Sequence, residues 1–193
     1  MFQRMLPVLL ALAHVALWAA AFTTLGTLEG PYPTHFDLEG RPNAWTDAGW
    51  WLLPLIGLGI TAVLLGAVML GRRLVVSSPQ WVNMPKKYEW VRLPVEARLR
   101  SFKAATALVF GFAVFVNLML VSVTLDTYAV ARGAQEGISV AKMVLVLVCL
   151  AVWLVLSVLR IRQVVREEVR LARESSRQEA LDAQRLAAGG GTP

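Results

Sequence analysis

AATALVFGFAVFVNLMLVSVTL, residues Ala104–Leu125, runs for 22 residues without an Asp, Glu, Lys or Arg. Its apolar residues do not alternate at period two, and no periodic polar face is left as on a soluble helix. Crossing the hydrocarbon core takes roughly 20 apolar residues in a helix. Three further stretches are equally free of charge: Met5–Leu28 (24 residues), Ala48–Gly71 (24) and Met143–Leu159 (17). The last is short by itself and gains length where Lys142 and Arg160 reach back to the headgroups. The 193 residues carry 17% charge against about 25% in a soluble domain. That low figure hides a segregation. All 32 charged residues lie in the 106 residues outside the four stretches. The pattern predicts an all-α integral membrane protein of four transmembrane helices. The expected spans are residues 5–28, 48–71, 104–125 and 142–160. An outer loop is expected at 29–47, a cytoplasmic loop at 72–103, a basic cytoplasmic helix at 161–187 and a disordered tail at 188–193.

Basic residues set the expected orientation. Eight lie between spans two and three, seven follow span four, and Arg4 precedes span one. Only Arg41, Arg132 and Lys142 lie in the other two loops. Short loops rich in Lys and Arg stay inside, so both termini and the middle loop are expected in the cytoplasm. This rule accounts for the net charge of +6 without nucleic acid as a partner. Arg4, the apolar run and Ala19-Ala20-Ala21 also fit a signal peptide, but the run continues to Leu28, which favours a retained helix.

Function classes narrow by absence. Cys149 is the only cysteine, so no disulfide can form within the chain. It lies inside a span, where a thiolate is costly. No His-Glu-x-x-His, Gly-x-Ser-x-Gly or phosphate-loop pattern occurs. No catalytic residue, metal site or cofactor is expected. His14 and Asn117 are the notable polar residues within spans. Polar groups there require partners, and Thr61, Asn117, Ser122 and Ser157 are candidates for His14. Gly57, Thr61, Ala62, Gly66, Ala67 and Gly71 mark span two as the expected central packing helix.

The first outer loop carries the densest signal. Pro31 and Pro33 favour an extended entry, and Gly40 suits a positive φ in a turn ending before Pro42. Tyr32, Phe36, Trp45, Trp50 and Trp51 suit the membrane interface. In the middle loop, Trp81, Tyr88 and Trp90 interleave with Lys86, Lys87 and Arg92, a mixture that fits anionic lipid. Pro94 is expected to open a helix whose apolar stripe is Val95, Leu99 and Phe102. Beyond span four, Arg162, Arg166, Arg170, Arg173 and Arg177 fall on one helical face.

Two segments resemble a known family. Pro33-Thr34-His35-Phe36-Asp37-x-x-Gly40-Arg41-Pro42-Asn43-x-Trp45, followed by Trp51-x-x-Pro54, looks like the bacterial DUF1648 family, which also forms the N-terminal part of SdpI-type immunity proteins. Asn83-Met84-Pro85-Lys86-Lys87-Tyr88-x-Trp90 looks like the cytoplasmic segment of short members, with Glu89 inserted before Trp90. The resemblance implies a four-span protein of the bacterial inner (plasma) membrane.

The functional expectation is a non-enzymatic protein of immunity or sensing type. The outer motif is Pro33, His35, Phe36, Asp37, Gly40, Arg41, Asn43 and Trp45. The cytoplasmic motif of Asn83, Pro85, Lys87, Tyr88 and Trp90 would relay binding. Expected partners are membrane lipids, a peptide or protein ligand outside, a cytoplasmic protein and a second copy of the chain. Two alternatives differ in class. One is an enzyme or lipid-handling protein using His35, Asp37 and Arg41 at the headgroup layer. The other is a transporter or channel subunit with His14 and Asn117 on its path.

Overall fold

The computed structural model describes residues 2–189, with side chains described for 5–186. The chain is mostly helical, in the order α1 (Phe2–Thr23), β1 (Tyr32–Phe36), β2 (Pro42–Thr46), α2 (Leu52–Ser77), α3 (Lys87–Trp90), α4 (Val95–Ala131) and α5 (Val140–Gly189). Four of these helices are long and apolar enough to cross a membrane. The expected tail at 188–193 lies outside the described residues from 190 onward.

Helix termini follow local chemistry. Pro54 sits in the first turn of α2 and Pro94 immediately precedes α4, positions where a missing N–H costs no helical bond. Neither α4 nor α5 breaks at the edge of its apolar stretch. α4 starts nine residues before Ala104, and α5 continues without interruption past Arg160. Ala, Leu, Arg, Glu and Gln, all good helix formers, carry α5 onward.

The helical class gains one element. The loop at 29–47, expected to enter extended and to turn at Gly40, is a two-stranded antiparallel hairpin, β1 pairing with β2. Aromatic and β-branched residues in both segments explain the strands.

The chain divides into two compact units, residues 1–68 with 107–156 and residues 69–106 with 157–193. α2, α4 and α5 contribute to both. In the first unit, α1 buries Leu6, Leu10, Ala13, Leu17 and Ala21, one stripe at spacings of three and four. α4 buries Ala113, Asn117, Leu120, Thr124 and Thr127 at the same spacings. Large apolar residues such as Val15, Phe22, Val63, Met69 and Val144 point outward. Lipid tails are as apolar as leucine, so close packing and polar contacts decide which face turns inward.

The expectation of α2 as central helix needs correction. Gly57 and Thr61 are buried, and a Cβ on Gly57 would come 2.8 Å from Asn117 Oδ1 and 2.9 Å from Leu17 Cδ2. Gly66 has nothing within 4 Å, and Ala62 and Ala67 are exposed. Small residues allow close approach only where a neighbour exists, and α4 supplies the longer buried stripe. Its Asn117 is fully buried and donates to Thr61 Oγ1 at 3.2 Å and to the Ala113 carbonyl at 2.8 Å.

A double-mutant cycle with Asn117→Ala and Thr61→Val should give a coupling of about 0.6 kcal/mol in unfolding titrations in detergent. Additive effects would show that the two side chains are not bonded.

Candidate functional site

The hairpin motif is held mainly by its own turn. Asp37 N–H donates to the Arg41 carbonyl at 2.9 Å, and Gly40 N–H donates to the Asp37 carbonyl at 3.0 Å. The Asp37 carboxylate accepts the Arg41 N–H at 2.8 Å. Gly40 takes φ +82, the left-handed conformation that its sequence position predicts. Asp37, Gly40 and the Arg41 backbone therefore build the turn. Leu38 projects from it, 96% exposed.

Across the strands, His35 Nδ1 lies 2.5 Å from Asn43 Oδ1. With the amide oriented this way, Nδ1–H donates and Nε2 is left outside the pair. Asn43 lies at an irregularity of the ladder, between the pairs His35–Ala44 and Phe36–Pro42, and Trp45 pairs with Pro33. His35, Asn43 and Trp45 are all exposed, Trp45 at 50%. Arg41 is exposed as well, while Phe36 is half-buried and Pro33 fully buried.

The inner side is anchored. The Tyr32 hydroxyl donates to the Ala48 carbonyl at 2.9 Å. Burial, helped by the Asp47 charge, pushes its phenol above the ordinary tyrosine range. The proton stays on the hydroxyl, so this bond persists at every pH below that range. Beneath the strands lies a cavity of about 140 Å³ lined by Tyr32, Pro33, Phe36, Trp50, Leu53 and Val123 among others. Trp50 meets Phe22 and Trp18 of α1 edge-on, with ring centroids 5.8 and 6.4 Å away.

Two contributors lie outside the motif. The Ile138 N–H donates to the Gly40 carbonyl at 2.9 Å, docking the hairpin turn on the α4–α5 connection. A Cβ on Gly137 would stand 2.2 Å from the Gly40 carbonyl oxygen. The connection is fixed in turn by Asp126, 3% exposed, which accepts the Ser139 N–H at 3.1 Å and the Lys142 ammonium at 2.7 Å. An acid at the end of α4 with a lysine early in α5 was the signal in the sequence.

His14 and Asn117 are not hydrogen-bonded to each other. The Asn117 Nδ2 donates to Thr61 and Ala113, while its Oδ1 and both ring nitrogens of His14 are enclosed without a hydrogen-bond partner among the described residues. Among the described residues, no group of three His, Cys, Asp or Glu is placed to hold a metal ion.

The second unit places the other motif. Trp90 is fully buried, and Asn83, Lys87 and Tyr88 are exposed, with Pro85 half-buried. Lys86 caps α3 with φ +52, a left-handed conformation uncommon for a residue with a Cβ. The buried face at the start of α4 differs from the expected stripe. Ala97, Arg98, Ser101 and Ala104 are buried, whereas Val95, Leu99 and Phe102 are half-buried. The basic tail also packs: Ile161, Val165 and Val169 are buried every fourth residue. Arg100 makes a two-pronged bond to Glu168 at 2.7 and 2.8 Å, and Arg173 pairs with Glu89. Glu89, Arg92, Leu93, Val169, Arg173 and Ser176 are among the residues that line a cleft of about 420 Å³.

No family model, curated protein or solved structure matches this chain.

Gly137→Ala should lift the hairpin turn from the α4–α5 connection, because the added carbon meets a backbone oxygen that cannot rotate away. A loss of about 1–3 kcal/mol is expected, together with faster protease cleavage near Leu38. Unchanged cleavage would show that the turn is not docked there.

Proposed function

We propose that this chain is a non-enzymatic, multi-pass protein of the bacterial inner membrane, related through its first loop to the DUF1648 family. Its hairpin recognises a peptide or protein on the outer side. One observation supports this above the others: the motif separates into residues that build a turn and residues that face solvent. Asp37 and Gly40 are occupied in the turn. His35, bonded to Asn43, and Trp45 are exposed, the first with an unused imidazole nitrogen and the second with a half-exposed indole. A docked hairpin loses little entropy on binding, which suits recognition. The enzyme reading is weaker, because Asp37 already serves the turn.

The orientation rests on charge. Sixteen of nineteen basic residues lie before the first uncharged stretch, between the second and third, or after the fourth, which supports a cytoplasmic side for those segments and an outer side for the hairpin. Binding would reach the Asn83–Trp90 segment and a cytoplasmic protein through α2, α4 and α5, which are continuous helices shared by both units.

A membrane-impermeant maleimide tests the orientation. In a Cys149→Ala background, Asn43→Cys should label in intact cells and Tyr88→Cys only after lysis. The reverse pattern would invert the topology.

A photo-crosslinking residue at position 35 or 45 should capture one defined peptide or protein in intact cells. Trp45→Ala should reduce capture from position 35 at least tenfold while the protein accumulates normally. If nothing but lipid is captured from either position, the hairpin is not a recognition element.

A further inference from the structure

The second unit holds a buried cation without a counter-charge. The Arg98 residue is 8% exposed, and its Nε and Nη1 are enclosed with no hydrogen-bond partner among the described residues. A guanidinium stays ionised at any physiological pH. A buried charge is costly unless paired, so an isolated one asks for an anion.

The unit's own acids do not meet that need. Glu89 pairs with Arg173 and Lys86, Glu168 with Arg100, Glu174 with Arg170, and Asp182 with Arg185. Glu167 accepts from Gln163. Glu96 and Glu179 are exposed, and no acid among the described residues forms an ion pair with Arg98. Fifteen Lys and Arg face seven Asp and Glu in this unit, so an anion is short in supply.

A second donor is stranded in the same unit. The Trp90 side chain is fully buried, and its indole Nε1 has no partner among the described residues. An indole N–H can only donate. The Leu93-Pro94 turn separates the two residues. Leu93 N–H bonds to the Trp90 carbonyl at 3.1 Å, and Arg98 N–H bonds to the Pro94 carbonyl at 3.1 Å. Two side chains that only donate, one of them charged, call for a ligand that only accepts. A phosphate offers several acceptor oxygens and negative charge, and guanidinium matches its geometry in two-pronged bonds.

We propose that Arg98, assisted by the Trp90 indole, is a binding site for a phosphate group. Two sources share that chemistry, a phospholipid headgroup and a soluble phosphate. Arg98 lies six residues before the uncharged stretch at Ala104, about 9 Å along the helix axis, which is headgroup depth if α4 spans the bilayer. The site is independent of the hairpin and of any outer ligand.

The test is thermal unfolding of the full chain in a zwitterionic, phosphate-free detergent, compared with Arg98→Gln and Trp90→Phe. One arm adds inorganic phosphate against chloride at equal ionic strength. The other adds phosphatidylglycerol against an uncharged diacylglycerol. At least one arm should raise Tm in the wild type, with the shift abolished in Arg98→Gln and the apparent affinity about fivefold weaker in Trp90→Phe. A shift in the lipid arm alone assigns a headgroup, and one in the phosphate arm alone assigns a soluble ligand. If Arg98→Gln does not fold, the wild-type shift and its weakening in Trp90→Phe decide. No wild-type shift in either arm, a shift in Arg98→Gln as large as in the wild type, or, where Arg98→Gln does not fold, an unweakened shift in Trp90→Phe, overturns the proposal.

Discussion

The Asp126 carboxylate sets the hairpin end of the first unit. It is almost completely buried at the end of α4, and three donors converge on it: the Ser139 N–H, the Lys142 ammonium and, at longer range, the Gln135 amide. A buried carboxylate with charge-assisted bonds fixes its donors in place. Ser139 is thereby fixed relative to α4, and the preceding Ile138 N–H is aimed at Gly40. The hairpin turn inherits its position from that one acid. The rest of the motif then follows locally, with Asp37 closing the turn and His35 meeting Asn43 across the strands.

Packing elsewhere does not sort residues by hydrophobicity alone, although Leu6, Leu10 and Leu17 of α1 are buried. Bulky apolar side chains cover the outside of the four long helices, while Ala13, Ala21, Thr61, Ala113, Asn117 and Thr124 are buried. Hydrocarbon gives no reward for hiding leucine, so helix contacts form where small residues let backbones approach and polar groups find partners. The start of α4, outside the uncharged stretch, also buries small residues. Val95, Leu99 and Phe102 form the better apolar stripe, yet Ala97, Ser101 and Ala104 make the tighter face. Arg98 lies on that face and is buried with it.

The helices were legible because length and lack of charge are local properties. Gly40 was legible for a similar reason, since a glycine two residues before a proline points to a tight turn without reference to the rest of the chain. The strands were less so. Tyr32–Phe36 and Pro42–Thr46 contain two prolines, which argue against central strands but not against an edge hairpin. The motif was visible as a set of residues, but its division into builders and presenters was not. His35 and Asp37 read as comparable polar groups, and only the turn hydrogen bonds separate them. The packing of the tail on Ile161, Val165 and Val169 was masked by the louder arginine periodicity.

By itself the sequence determined four helices able to cross a membrane, the segregation of charge around them, and a tight turn at Gly40. These depend on composition within a window of residues, and solvent acts on each window separately. Tertiary structure decided which helix packs most, that Gly137 and Asp126 serve the hairpin, and that Arg98 and Trp90 are enclosed without partners. Those outcomes need residues far apart in the chain to meet at atomic distance. The partners involved, such as Gly40 with Ile138 or Arg100 with Glu168, share no local pattern that would mark them as a pair.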